Sequence, residues 1–258
     1  MTSVPGPWFL SSMAKQTARK TTRKTKPKPQ AARPGLFRRL RRRAIRAVLV
    51  IVALLFLWIL AYSVLPLPGT FYMLAESGRQ GVRVDYQWTP MERISPALAR
   101  SVVAAEDANF CNHWGFDLTA IRAAISEGGQ RGASTISQQV VKNAFLWQGR
   151  SWPRKALEAL ITPLVELTWS KRRILEVYLN VAEFDRGIFG AEAAARHYFG
   201  VGPEELTARQ AAQLAAVLPA PKDRNAGTPG PFVRRRAAQI VDGAATIARD
   251  GRSACFED

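Results

Sequence analysis

The sequence predicts a mainly α-helical domain carried behind a single membrane-crossing helix. Three observations lead there. An uncharged apolar run covers Ala47 to Leu65, the arginines and lysines crowd ahead of it, and everything after Pro90 has the spacing of amphipathic helices. The 258 residues allow one domain of roughly 180 residues beyond these extras. A hydrophobic content of 47% is enough for a core.

The formal net charge of +17 has the bias of a nucleic-acid binder, but its distribution confines that bias to the N-terminal tail. Residues 1–46 hold 14 of the 37 Lys and Arg and none of the 20 acids, the first of which is Glu76. The other 23 basic residues meet 20 acidic ones, a net of +3. Residues 14–35 are polar, basic and Pro-containing, too poor in apolar surface to fold, and predict a disordered arm. Residues 36–46 concentrate arginine. The 19 residues that follow, at about 1.5 Å each, nearly cross a hydrocarbon core of about 30 Å. Trp58 and Tyr62 sit toward the far end, where interfacial anchors stand. A cleavable signal peptide is the alternative. The run is longer than a typical apolar signal core, the basic segment is too long, and no small-x-small site follows. The expected organisation is a cytoplasmic tail over 1–46, an uncleaved span over 47–66 and a domain outside the membrane over 67–258, with the basic flank staying inside and attracting anionic lipid.

Pro66-Leu67-Pro68-Gly69 ends the span. Val82, Val84, Tyr86 and Trp88 alternate with Arg83, Asp85 and Gln87, a short strand pattern. Helices are predicted near 96–109, 117–127, 135–146, 153–169, 171–184, 190–198, 207–218 and 232–249, separated by Gly, Pro, Ser or Asn. Pro163 lies inside one of them and predicts a kink or interruption. Cys111 and Cys255 are too few for a disulfide framework. The expectation is two unpaired thiols, with one bridge as the alternative in an oxidising compartment. With two His in the chain, no Cys/His zinc site is apparent.

Three segments carry candidate chemistry. In the first, Leu98, Val102 and Ala105 form an apolar helical stripe. Glu106 falls about 80° from Leu98, at the stripe's edge, where partial desolvation raises a carboxyl toward a general-base range. Asp107 falls about 180° away and is expected to face water. In the second, Thr135-x-x-Gln138 is a capping-box pattern opening a helix. Gln138, Gln139, Lys142 and Asn143 share one polar arc opposite Ile136, Val140 and Ala144. The helix N-terminus with Ser134 and Thr135, and Lys142 two turns in, make a candidate anion cradle. In the third, Leu157, Leu160, Ile161, Leu164 and Thr168 line the expected buried face, and Arg154, Lys155 and Glu158 form a charged cluster at the helix start. Glu166 falls about 180° from that stripe and is discounted.

Together these segments resemble one family. Glu106-Asp107-x-x-Phe110-x-x-His113-x-Gly115, the run from Gly132 to Asn143, Arg154-Lys155-x-x-Glu158, the run from Ser170 to Asn180, and Gly190-x-x-Ala193-Ala194-x-x-Tyr198-Phe199-Gly200 resemble, in order, five signatures of the peptidoglycan glycosyltransferases. The likeness covers about residues 80 to 225. It is closest to the monofunctional branch, through Trp114-Gly115-Phe116-Asp117 and Val181-Ala182-Glu183-Phe184. Asp185 stands where the family usually has Gly, which bears on the local loop. The only Ser-x-x-Lys, Ser12 to Lys15, lies in the predicted arm, so no penicillin-binding transpeptidase half is expected.

The resemblance implies a lysozyme-like helical fold with a jaw-like lobe against the bacterial inner membrane, the N-terminus cytoplasmic and the domain periplasmic. It implies transfer of a polyprenyl-diphosphate-linked glycan to the 4-hydroxyl of lipid II, with inversion. Glu106 would be the base and Glu158 a second catalytic carboxylate that orients cations or donor diphosphate. Ser134, Thr135, Gln138, Gln139, Lys142, Asn143, Arg154 and Lys155 would bind substrate. No cofactor is essential, although a divalent cation such as Mg2+ on the diphosphate is compatible with the family; no protein metal site is expected. Partners would be lipid II, the membrane and other cell-wall synthesis proteins, not nucleic acid. Two rivals stand beside this reading: a membrane-bound lytic glycosidase, and a non-enzymatic membrane protein binding nucleic acid through its tail.

Overall fold

In the computed structural model, residues 36–81, 83–128, 132–149 and 151–257 are described, so the predicted arm of 14–35 lies outside the described residues. The chain divides into two units, Met1–Ala47 and Val48–Asp258. Helix α1 (Leu36–Ala61) is longer than the apolar run, because the Arg, Leu and Ala ahead of it are strong helix formers. From Val48 to Leu57 its large side chains are mostly exposed, Ile51 and Leu54 among them. Ile59, by contrast, is fully buried, and the Trp169 indole donates to its carbonyl at 2.9 Å. Arg173 donates to the carbonyls of Tyr62, at 3.1 Å, and Leu65, so a cation covers the chain leaving α1.

Helix α2 (Phe71–Gln80) occupies a stretch for which no element was expected, opened by the Thr70 hydroxyl accepting from the Met73 N–H. The strand expected over 82–88 reduces to β1 (Asp85–Tyr86). The eight predicted helices appear within three residues of their expected ends: α3 (Pro96–Glu106), α4 (Leu118–Ser126), α5 (Ile136–Phe145), α6 (Trp152–Thr168), α7 (Lys171–Val181), α8 (Gly190–Phe199), α9 (Ala208–Val217) and α10 (Pro231–Arg249). A short α11 (Ala254–Glu257) follows. The mainly α expectation therefore holds. Side chains of Ser95, Asp117, Thr135, Ser170 and Thr207 cap α3, α4, α5, α7 and α9. Pro163 does not interrupt α6; it and Ala159, whose carbonyl loses its donor, both lie on an exposed side.

Helix does not fill everything after Pro90. β2 (Glu183–Asp185) pairs antiparallel with β3 (Ile188–Phe189), and β3 pairs parallel with β1. The turn into α8 needs glycine: Gly190 has φ +84°, and a Cβ there would lie 2.8 Å from the Asn180 carbonyl. At the unusual Asp185, one carboxylate oxygen accepts the Arg186 N–H at 2.7 Å and the other the Tyr198 hydroxyl at 2.9 Å, closing the loop before Gly187.

The core forms where α3 packs on α9 and α10 and where α5 packs on α6 and α7. Leu98, Ile136, Ile174, Tyr178 and Leu214 are among its fully buried side chains. The cysteines correct the expectation of free thiols: Cys111 and Cys255 form a disulfide across 144 residues. Packing brings them together, because Phe256 of α11 and Phe110, beside Cys111, are both fully buried, with ring centroids 6.3 Å apart.

Candidate active site

Glu106 is the last residue of α3, and its carboxylate accepts from the Gln139 amide of α5 at 2.9 Å. Burial pushes its pKa up and Asp107 adds to the rise, while Gln139, Arg236 and Lys142 pull it back. Arg236 of α10, which the sequence reading did not single out, also donates to the Ala105 carbonyl at 3.2 Å.

Asp107 does not face water. The helix ends one residue earlier, so the helical angle no longer applies: at the C-cap, with φ −160° and ψ 72°, the side chain turns inward and is 7% exposed. One oxygen lies 2.9 Å from His113 Nε2, and the other accepts the Ile136 N–H at 3.0 Å. The first signature is thereby fastened to the start of α5. Thr135 completes the joint, donating its hydroxyl to the Gly115 carbonyl at 2.7 Å and accepting the Gln138 N–H. Gln138 Oε1 accepts the Thr135 N–H at 3.1 Å. The α5 N-terminus is expected as an anion cradle; protein groups instead take its Ile136 and Gln138 N–H groups, and Asp107 is the anion there. Gly115 belongs to the same joint: its φ is +76°, and any Cβ would collide with Thr162.

Helix α6 is turned relative to expectation. Its buried side carries Arg154, Glu158, Ile161, Thr162, Val165 and Glu166; of the expected stripe Ile161 is inside and Leu164 and Thr168 are half-buried, while Leu157 and Leu160 are exposed. Glu166, discounted from its helical angle, is therefore inside. It accepts the Ser137 hydroxyl at 2.5 Å and the Lys171 ammonium at 2.9 Å. Lys171 also donates to the His113 carbonyl at 2.7 Å and lies 4.5 Å from the centre of the Phe110 ring. Glu166 is drawn inside by donors on α5 and α7, Glu158 is satisfied by Arg154 and Lys155 of α6 itself, and Leu157, Leu160 and Leu167 face out.

Glu158 accepts from Arg154 at 2.5 Å and from Lys155. Arg154 also donates to the Gly149 carbonyl at 2.9 Å, and Lys155 to the Ser134 hydroxyl at 3.3 Å. Lys142 has no carboxylate within ion-pair distance among the described residues, and burial pushes its pKa down. A cavity of about 410 Å³ is lined by Ser134, Gln138, Gln139, Lys142, Arg154, Lys155 and Glu158, with Gln148 and Gly149. An adjoining cavity of about 250 Å³ is lined in part by Glu106, Asp107, Ser134 and Thr135. The two meet at Ser134. Asn143 is the predicted site residue that lines neither: it is buried and accepts from Gln148 at 3.0 Å, which steadies a wall residue. Among the described residues, no group of three or more His, Cys, Asp or Glu forms a candidate metal cluster.

A desolvated carboxylate at one end of a cleft and cations at the other can accept a proton and hold a departing anion. That layout suits a group-transfer enzyme whose reaction takes up a proton and releases an anion. The family profile described as Transglycosylase matches residues 74–245. The biosynthetic peptidoglycan transglycosylase of Jannaschia sp. (strain CCS1) is 60% identical over 237 residues, covering 92% of this chain and 98% of that relative. Proteins of the same name from Ectopseudomonas mendocina (strain ymp) and Pseudomonas putida (strain F1) are 51% and 52% identical, covering 80% and 77% of this chain and 88% of each relative. The chain belongs to the transglycosylase family.

Proposed function

We propose that the protein polymerises lipid II into glycan strands from a single-pass anchor in the inner membrane, with its domain on the periplasmic side. The observation that carries this reading is the pairing of Glu106, desolvated and held by Gln139, with the Lys142, Arg154 and Lys155 cluster in adjoining cavities. Glu106 takes the proton from the acceptor 4-hydroxyl as that oxygen bonds to the donor's anomeric carbon. The bond from that carbon to the diphosphate breaks on the opposite face, and its electron pair leaves on the diphosphate oxygen. Lys142, with no carboxylate partner among the described residues, meets the charge that develops there, and Glu158 orients Arg154 and Lys155 toward it. Both oxygens of Glu158 are occupied by those cations, which leaves Glu158 poorly suited to ligate a resident metal. A lytic glycosidase releases no diphosphate and has no use for such a cluster.

The anchor reading draws on α1, long and apolar enough to cross a bilayer, with arginines at its start. The outward leucines of α6 suit a lobe resting on lipid. The test is detergent-solubilised full-length protein with labelled lipid II, resolving any glycan polymer. Lys142→Ala should slow polymerisation by about 10²–10³-fold, the loss of one charge-assisted contact to a developing anion. A folded variant at wild-type rate would remove Lys142 from the site. A reporter active only outside the cytoplasm, fused to the C-terminus, tests the orientation.

A further inference from the structure

A further cavity, of about 550 Å³, lies beside the end of α1, with Trp58, Phe71, Met73, Leu74, Arg83 and Tyr86 among its lining. It is separate from the catalytic cleft. Ala144 lines it, whereas Lys142 lines the cleft, and two helical residues stand about 160° apart around α5. Its volume is that of a small-molecule site.

We propose that this cavity binds an anionic phospholipid from the bilayer, with one acyl chain against Trp58, Phe71 and Leu74 and the headgroup phosphate against Arg83. The proposal rests on the reading of α1 as a membrane span. Trp58 is three residues from the end of α1 at Ala61, about 4.5 Å along the axis, so an occupant touching it stays at the edge of the bilayer. Phe71 is 59% and Leu74 72% exposed, and the Phe71 ring meets Trp58 edge-on at 6.3 Å; a lipid chain would remove that apolar surface from water. Arg83 supplies the charge complement: no carboxylate pairs with it among the described residues, and Asp85, the next acid along the chain, does not line the cavity. The acid of α2, Glu76, is already held by Arg79 and Lys222.

The test uses the full-length protein in nanodiscs of phosphatidylcholine, doped with either phosphatidylglycerol or phosphatidylcholine bearing a photoreactive acyl chain, with crosslinks mapped by mass spectrometry. Phosphatidylglycerol should label Phe71, Met73 or Leu74. Arg83→Gln should lower that labelling about five-fold, the attraction of one basic side chain to anionic lipid. Leu74→Trp, which fills the cavity from an exposed position, should abolish it, with circular dichroism unchanged in both variants. Labelling of residues 48–57 without the α2 residues overturns the cavity proposal and leaves the membrane span standing. Equal labelling by both lipids, indifferent to Arg83→Gln, overturns the headgroup assignment. Absence of label on 48–57 as well overturns the span, and this site with it.

Discussion

At the residue scale, two carboxylates within one joint are given opposite tasks by where α3 stops. Glu106, inside the helix, is desolvated and meets one amide; Asp107, just past it, is spent on His113 and the Ile136 N–H. Glu106→Gln keeps the shape and cannot take a proton, so lipid II consumption should fall about 10²–10⁴-fold in a protein whose circular dichroism is unchanged. The raised pKa adds a signature. Only ionised Glu106 is a base, so the acid limb of kcat/KM should lie above the usual carboxylate range, and any activity left in Glu106→Gln should lack that limb. A limb at the ordinary value would mean the group is not desolvated in the working enzyme. Glu166 offers a contrast. Its angle on α6 makes it look like a neutral control, but Glu166→Gln would strip the part-buried Lys171 ammonium of its counter-charge. The expected loss is about 3–5 kcal/mol of stability, read as a lower Tm. A Tm equal to wild type would show that the His113 carbonyl and the Phe110 ring suffice for Lys171.

At the element scale, α2 is held by charge as much as by packing. Glu76 is 3% exposed and bonds Arg79, Gln80 at 2.6 Å and Lys222 at 2.8 Å, and Lys222 reaches Glu183 of β2 at 3.3 Å. These partners, Arg79 foremost, hold the Glu76 carboxyl down at about 2 against an ordinary 4.5. A carboxyl depressed in the folded state contributes stability that is complete above its unfolded pKa and fades as pH falls through the folded one. The Tm advantage of wild type over Glu76→Gln should therefore be full at neutral pH and shrink between about pH 4.5 and 2. An advantage constant across that window would leave packing, not charge, as what holds α2. The expected elements omit this helix although Thr70 and Gly81 cap it and Arg79 and Gln80 lie within about one turn of Glu76; only Lys222 reaches it from far along the chain. The rotation of α6 was hidden for a different reason. Its leucines form a correct amphipathic stripe, but periodicity says only that two faces differ, and the buried one is chosen by partners on α5 and α7.

At the scale of the whole molecule, the disulfide closes the domain between the turn after α3 and α11. Reductant should lower the Tm of wild type, and Cys111→Ser with Cys255→Ser should reproduce the loss, roughly 2–5 kcal/mol for a long closed loop. If reductant leaves Tm unchanged, the bridge adds nothing beyond the packing of Phe110 on Phe256.

The sequence by itself determined the mainly helical class, the eight long helices to within three residues, the apolar N-terminal run and the family. These depend on local spacing, caps and contiguous motifs, and short-range order records them. It also brought Glu106 forward as the candidate base. Tertiary structure alone decided the rest: that Asp107 and Glu166 are inside, that Asn143 supports rather than lines the cleft, that the α5 N-terminus is already filled, and that the cysteines pair. Each of these is a choice among partners distant in the chain. A helical angle locates a side chain on its own cylinder, but which side is buried, and against which donor, is settled only when the helices pack.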